Sequence, residues 1–174
     1  MQAMHDTSEI RAATCTITDR AAFLAGLRKI ASDHETRIIC FNADLIAGRS
    51  HAAFAVMLAQ RAFGSGENIS NTLEMEALLF AAGSRQCSLA APYGIHNGEN
   101  RLWVCCLPGS TEAWVSLGSL FRFVSGDWDT ITTEKRELLM KNYRISADEI
   151  AAAGGKERLV DLVLERVALL QILR

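Results

Sequence analysis

The sequence has no excess of basic residues. Its 18 lysines and arginines are outnumbered by 20 aspartates and glutamates, which gives a formal net charge of -2. Proteins that bind nucleic acid without specificity usually carry a positive footprint, because contacts to phosphate dominate that affinity. The composition therefore excludes wholesale, non-specific nucleic-acid binding, and it leaves room only for a local basic patch.

Long uncharged apolar segments are also missing. The longest one, AAFAVMLA at 52–59, is far shorter than the roughly 18 residues that a transmembrane helix needs. The first residues, MQAMHDTSEI, lack the charged and then apolar regions of a secretory signal peptide. We therefore expect a cytoplasmic protein that makes no contact with a membrane.

The cysteines form no metal-binding or redox motif. The chain has five cysteines, an odd number, and no CxxC pair. Cys105 and Cys106 are adjacent in a predicted strand, so their side chains should face opposite sides of the sheet. Reduced structural thiols are typical of a cytosolic protein. Since the four histidines are scattered as well, we predict no metal site and no cofactor.

The common enzyme motifs are absent too. The sequence contains no GxxxxGK[ST] loop, no GxGxxG after a strand, no GxSxG elbow and no HExxH. Glu74 and Glu76 are two positions apart on a predicted helix, so they do not face each other. Cys87 and His96 could be imagined as a nucleophile and its base, although a buried thiol and a turn histidine are the more ordinary reading. We predict that the protein is not an enzyme.

Hydrophobic patterning predicts one mixed domain over residues 1–174. Strands and helices interleave, and no repeat or linker interrupts them. The best predicted strand is RLWVCCL, because β-branched and aromatic residues lie between two turn signals. The predicted strands are 8–17, 37–42, 101–107 and the closing segment VALLQIL; helices are predicted after Thr18, Ser50, Asn71 and Ser84, from 108–112 to Phe121, over 133–143, from Ser146 to Gly154, and from Leu159.

The helix ends carry capping signals. Thr18 and Ser50 each precede an apolar periodic segment, so both are predicted to be N-caps. The remaining predicted signals are a capping pair of Asn71 with Glu74, a capping box of Ser146 with Glu149, and a C-terminal stop at Gly83.

The segment NISNTLEMEALLFAAGSRQ, at 68–86, has an apolar middle and polar ends. Two hypotheses explain those ends. The first is ordinary capping, in which Asn71 bonds free N–H groups and Arg85 lies near the last carbonyls. In the second, Arg85 and Gln86 have free donors beyond the Gly83 stop. Together with side chains of the preceding helix, they bind phosphate oxygens. Those side chains are Arg49, His51 and Arg61.

Motifs in a fixed order resemble a known family. The order begins with Asn42-Ala43-Asp44 and His51, continues through the 68–86 segment, and closes with 163–169. The further matching positions are Asn71, Met75-Glu76, Gly83 and Arg85-Gln86 within 68–86, followed by Gly94. The chain resembles the small regulatory subunit of the KEOPS (EKC) complex, the family that binds the complex's kinase-like ATPase.

The resemblance implies an α+β fold with a small, largely antiparallel sheet and surrounding helices. It also implies a non-catalytic role, in which the protein binds the kinase-like ATPase and holds the 3′ CCA end of a tRNA. The complex transfers a threonylcarbamoyl group to the adenosine next to the anticodon, and a separate catalytic transferase subunit, an indirect partner, performs that step. Single-stranded RNA ends need only a few polar contacts and stacking surfaces, which suits a protein without basic excess. The residues that we predict to contact RNA are Arg49, His51, Asn71, Met75, Arg85 and Gln86.

Two alternatives remain open at the level of sequence. The first is a protein-interaction module that regulates a kinase-like ATPase without touching RNA. The second is a small enzyme that uses Cys87, for which thiol alkylation should abolish function.

Overall fold

A four-stranded antiparallel sheet organises the fold. The structure is a computed structural model that describes residues 8–173, and its architecture is α+β, as predicted. The order of the strands in the sheet is β2-β3-β1-β4. The strands are β1 (Glu9–Ile17), β2 (Arg37–Asn42), β3 (Gly98–Leu107) and the short β4 (Arg122–Phe123).

Helices cover both faces of this sheet. Single 3-10 turns follow α4 and precede α8. The helices are α1 (Arg20–Asp33), α2 (Arg49–Ser65), α3 (Leu73–Ala82), α4 (Cys87–Ala90), α5 (Thr111–Leu117), α6 (Thr133–Tyr143), α7 (Ala147–Ala153) and α8 (Leu159–Ile172). None of the helices within residues 8–173 has the length and apolar character that crossing a bilayer requires.

Strand β3 is the centre of the sheet, because it pairs with β1 on one side and with β2 on the other. Its side chains alternate between the two faces, as the pleat requires. Trp103 and Cys105 pack beneath α2, α3 and α8, whereas Val104 and Cys106 pack beneath α1 and α5. The prediction that Cys105 and Cys106 face opposite sides is confirmed.

Several predicted elements are confirmed. The strands near 8–17, 37–42 and 101–107 are present, and α6 spans 133–143 as predicted. The capping box of α7 is complete, because Ser146 Oγ accepts from the Glu149 N–H while Glu149 accepts from the Ser146 N–H. The predicted helix through Phe121 ends earlier, at Leu117.

The closing segment VALLQIL was wrongly predicted to be a strand. It continues helix α8 to Ile172. Four residues of α8, two of them in the closing segment, recur at helical spacing and are buried in the core beneath α2 and α3, so burial of a 3.6-residue stripe decides the structure. These buried residues are Leu159, Val163, Val167 and Leu170.

Three predicted N-caps were wrong. The residue that caps a helix has extended backbone and an oxygen that reaches the first free amides. Helix α1 is capped by Asp19 and not by Thr18, and α3 by Thr72 and not by Asn71. Helix α2 has no side-chain cap from its own segment at Ser50, because Gly48 occupies the cap position.

We predict that the buried residues of α8 contribute strongly to the free energy of unfolding. Replacing Leu159 by Ala removes a 1% exposed side chain and should lower the free energy of unfolding by about 2–5 kcal/mol. The matched control is Leu169→Ala on the same helix, where the side chain is 42% exposed and the cost should stay within about 0.5 kcal/mol. Urea unfolding of both variants measures the difference, and equal losses would contradict the assignment of the stripe.

Candidate functional site

Helix α3 forms the middle of the segment at 68–86. It begins because the Thr72 side chain accepts a hydrogen bond from the Met75 N–H, at 3.2 Å. It ends at Gly83, whose φ of +61° is left-handed and whose N–H is bonded to the carbonyls of the last turn. A side chain at that position would be strained, which explains the glycine.

The polar residues before α3 are ordered by a buried carboxylate. Glu76 is 0% exposed, and its oxygens accept hydrogen bonds from the N–H groups of Ile69 and Ser70 and from the Ser70 hydroxyl. Asn68 adds a bond from its side-chain amide to the Ser70 carbonyl. The polar start of the segment therefore has a structural role. The sequence analysis did not identify Glu76 as a structural residue, although a carboxylate directly before the apolar run ALLFAA was a usable signal.

His51 is a core residue and not a surface residue. Its side chain is 0% exposed, and its Nδ1 accepts from the Ala47 N–H at 2.9 Å. Because Nδ1 is an acceptor, the ring proton lies on Nε2, which donates to the Ala81 carbonyl at 3.0 Å. The Tyr143 hydroxyl donates to the same carbonyl. His51 is therefore not exposed to RNA in this fold.

The remaining predicted RNA-contacting residues do not form one cluster. Met75, which is half-buried, and the exposed Asn71 lie at the start of α3, whereas Arg85 and Gln86 are exposed beyond its end. The ten residues of α3 separate the two pairs by about 15 Å. Arg49 is exposed at the start of α2, where its backbone N–H donates to Asp129. Their contact with RNA stays a prediction.

Arg85 reaches across to the end of α8. Its Nη1 donates to the Leu173 carbonyl at 2.7 Å. A cation at this position satisfies a terminal carbonyl and opposes the negative end of the helix dipole. The end of α8 is therefore fixed to the connection between α3 and α4.

Large apolar side chains are exposed at that same end of α8. We call Leu169, Ile172 and Leu173 the C-terminal patch; their exposed fractions are 42%, 76% and 69%. Leu89 on α4, four residues after Arg85, is a further exposed leucine. Clustered aliphatic side chains in water are typical of a protein-binding surface.

A groove lies along the outer edge of β2, between α1 and α3. Its volume is about 690 Å³, and we call it the β2 groove. Strand β2 forms the floor, and the walls are mainly apolar. The walls and floor include Leu24, Leu27, Ala31, Ile38, Cys40, Met75, Leu78 and Gly94.

Arginines surround the β2 groove. Arg20 donates from Nε to the Ile95 carbonyl at 3.2 Å, and Arg37 lies 3.6 Å from Glu74 in an exposed ion pair. Arg28 lines the groove from α1. Among the lining residues within 8–173, one carboxylate faces three guanidinium groups, so the groove is positively charged.

A second, polar cavity of about 460 Å³ lies beside α6. Arg101 forms a 2.8 Å ion pair with Asp44 and stacks on the Trp128 ring, 4.5 Å from its centre. Lys135 donates to the Ala43 carbonyl at 2.7 Å, and burial lowers the pKa of its amine. Most charged groups of this cavity therefore already have partners in the fold, because Asp127 also accepts from the N–H groups of Asp129 and Thr130.

The cysteines and histidines form no metal-binding cluster within residues 8–173. No cluster of three His, Cys, Asp or Glu side chains there could hold a metal ion. The sequence favoured a buried thiol at Cys87, but this side chain is exposed. Cys40, Cys105 and Cys106 are buried. Burial raises the pKa of the Cys106 thiol to about 11.

The sequence model of one family, described as "Kinase binding protein CGI-121", matches residues 15–171. The chain belongs to this family. No curated protein sequence matches the chain significantly. The matched span runs from β1 to the last turn of α8, so both faces of the sheet lie within the CGI-121 family domain. Membership in this family indicates that the chain binds a kinase.

We predict that His51 makes this CGI-121 family protein acid-sensitive. Burial lowers the pKa of His51 to about 4, from an ordinary value near 6.5. Between these values the unfolded chain binds a proton that the folded protein does not bind. The free energy of unfolding should therefore fall by about 3 kcal/mol as the pH falls from about 6.5 to 4.

The test compares the wild type with His51→Asn, in which the side-chain oxygen keeps an acceptor near the Ala47 N–H. The variant should be less stable at pH 7, and its stability should change less between pH 7 and pH 4. Urea unfolding across that range measures both slopes. The same slope in the two proteins would show that His51 does not cause the acid sensitivity.

Proposed function

We propose that this protein is a non-catalytic, kinase-binding regulatory subunit of the KEOPS complex. Family membership supports kinase binding, and the motif resemblance in the sequence supports KEOPS as the particular complex. The structural observation that carries the proposal is the C-terminal patch on α8. In this role the protein supports threonylcarbamoyl modification of the adenosine next to the tRNA anticodon, while a separate transferase subunit performs the chemistry.

The C-terminal patch has the properties of a docking surface. Its three aliphatic side chains lie on the last turn of one helix, so a partner can bury them together. Burying apolar surface contributes about 25 cal/mol per Å², and a few such anchors usually dominate an interface. The bond from Arg85 to the Leu173 carbonyl fixes this last turn, which reduces the entropy lost on binding.

We predict that Ile172→Glu weakens binding to the kinase-like ATPase subunit. The change places a charge in the middle of the patch, which should raise the dissociation constant by about tenfold or more. Val115→Glu is the matched control, because Val115 is 74% exposed on α5, on the opposite face of the sheet. Calorimetric titration of both variants with the purified partner measures the effect. Equal affinities would place the kinase interface elsewhere.

We further propose that the protein holds the 3′ CCA end of a tRNA. Support comes from the resemblance and from the exposure of Arg85 and Gln86 beyond the end of α3. Within residues 8–173 the Arg85 guanidinium makes one hydrogen bond, to the Leu173 carbonyl, which leaves most of its five donors available. A planar guanidinium with free donors suits a phosphate oxygen. Asn71, Met75 and Arg49 are the further residues of this proposal.

We predict that Arg85→Ala weakens tRNA binding by about 1–3 kcal/mol, the range for a hydrogen bond to a charged group. Arg85→Lys keeps a donor near the Leu173 carbonyl but loses the planar fork, so it should hold α8 and still lose RNA affinity. Arg122→Ala on β4 removes an exposed arginine that lies outside the predicted set, and it should change little. Gel-shift titrations with one tRNA compare the three variants.

Removal of the terminal CCA from the tRNA completes this test. The loss should resemble that of Arg85→Ala, and the two changes together should add little, because they delete one shared contact. An unchanged affinity for tRNA in Arg85→Ala, with intact kinase binding, would favour the other proposal for this family member, a protein-interaction module without RNA contact.

A further inference from the structure

The outer edge of β2 presents unpaired peptide groups. The Ala43 N–H donates to the Arg101 carbonyl at 2.8 Å, which fixes the hydrogen-bonded pairs of the ladder between β2 and β3. Because such pairs alternate in an antiparallel ladder, Ile39 and Phe41 also bond to β3. Ile38 and Cys40 must therefore turn their N–H and C=O groups away from β3, toward the β2 groove.

These outward groups are not bonded elsewhere within residues 8–173. The hydrogen bonds of that part of the chain include none from the peptide groups of Ile38 or Cys40. The next outward residue, Asn42, uses its side-chain amide to bond the Pro92 carbonyl, which closes that end of the edge. The Cys40 carbonyl oxygen lies 3.9 Å from the position that a Cβ of Gly94 would occupy, so Gly94 borders that oxygen. The open stretch of edge therefore extends from 37 to the Cys40 N–H, a length of about 10 Å.

The walls of the groove match the shape of a single extended chain. Helix α1 flanks β2 on one face of the sheet and α3 flanks it on the other. Leu27 lines the groove on the first side, and Met75 and Leu78 line it on the second. At one end Leu78 lies 3.0 Å from the position that a Cβ of Gly94 would occupy, so a side chain at Gly94 would crowd that wall.

The charges around the β2 groove indicate the charge that a bound segment should carry. Arg28 has no ion-pair partner within residues 8–173, and Arg20 bonds only a backbone carbonyl. Glu74 is the single carboxylate among the lining residues and is shared with Arg37. An occupant with acidic ends would meet this excess of arginine.

The lining also separates two kinds of acidic occupant, a peptide and an RNA. Single-stranded RNA is usually gripped by stacking its bases on aromatic side chains. The residues that line the β2 groove within 8–173 include no Phe, Tyr, Trp or His. Unpaired strand groups between apolar walls are instead the elements of β-strand addition.

We propose that the β2 groove binds an extended peptide segment of a partner protein as a fifth strand of the sheet. The segment pairs with the outward N–H and C=O groups of Ile38 and with the Cys40 N–H, and its central residues are apolar because apolar walls face both sides of the added strand. Its flanking residues are acidic and meet Arg28 and Arg20. None of the groove residues belongs to the C-terminal patch, so this site is independent of the proposed kinase interface.

The probe is a set of eight-residue synthetic peptides with blocked ends. Each has four central apolar residues, drawn from valine, isoleucine, leucine and methionine, and two aspartates on either side. Matched peptides carry lysines in place of the aspartates. The best aspartate peptide should bind about tenfold more tightly than its lysine counterpart, because of the arginines around the groove.

Amide hydrogen exchange locates the binding. At saturation the exchange of the Ile38 and Cys40 amides should slow by about tenfold or more, because strand addition gives these groups hydrogen bonds. The amides of Ile39 and Phe41 are internal controls, since they already bond to β3. Absence of binding by every aspartate peptide, or binding that leaves the Ile38 and Cys40 amides unchanged, would overturn the proposal.

A matched pair of variants tests the charge argument. Arg28→Glu should weaken peptide binding about fivefold or more, whereas Lys29→Glu, the same charge change one residue along α1 and outside the groove, should change it less than about twofold. Equal effects of the two variants would mean general attraction and no specific site. Ile172→Glu should bind the peptide normally, which separates this proposal from the kinase interface.

The trinucleotide cytidine-cytidine-adenosine is the competitor. It should neither displace the peptide nor protect the Ile38 and Cys40 amides. Displacement together with the same protection would identify the groove as an RNA site and would overturn the peptide proposal.

Discussion

The buried carbonyl of Ala81 joins helices α2, α3 and α6, and the packing on that side of the sheet depends on it. It accepts from His51 Nε2 on α2 and from the Tyr143 hydroxyl at the end of α6, while it belongs to the last turn of α3. Burial holds His51 neutral and raises the pKa of Tyr143 well above its usual value, so both groups stay uncharged donors. Three helices are thus joined at one buried oxygen, and the last turn of α3 can neither unwind nor rotate without leaving polar groups unpaired.

The bonds to the Ala81 carbonyl also fix the positions of the β2 groove and the C-terminal patch. The first half of α3 forms one wall of the β2 groove, and its last turn leads through Gly83 to Arg85, which fixes the end of α8. A single ten-residue helix therefore connects the β2 groove with the C-terminal patch. Because α3 is held at its start by Glu76 and at its end by the Ala81 carbonyl, the spacing between the two surfaces is rigid.

Much of the fold could be predicted from the sequence, because its signals are local. Strand β3 contains an apolar run, LWVCCL, between two turns, and the capping box at Ser146 is complete within four residues. The closing segment was predicted wrongly because a short apolar run fits a strand and a helix equally well, and only packing against distant helices decides between them. The caps were displaced by a residue or two because several polar residues compete for each helix start. For the site, the exposure of Arg85 could be anticipated from the Gly83 stop, whereas the burial of His51 could not, since its partners lie 4, 30 and 92 residues away.

The placement of the tryptophans determines what the intrinsic fluorescence of the protein can report. Trp103 is buried, its indole N–H has no partner within residues 8–173, and it packs edge-on against Trp128 beside the polar cavity. Trp114 lies on the opposite face of the sheet, beneath Arg11. Emission therefore follows the loss of packing on either face during unfolding. It is a poor reporter of ligands, because neither the β2 groove nor the C-terminal patch contains an indole.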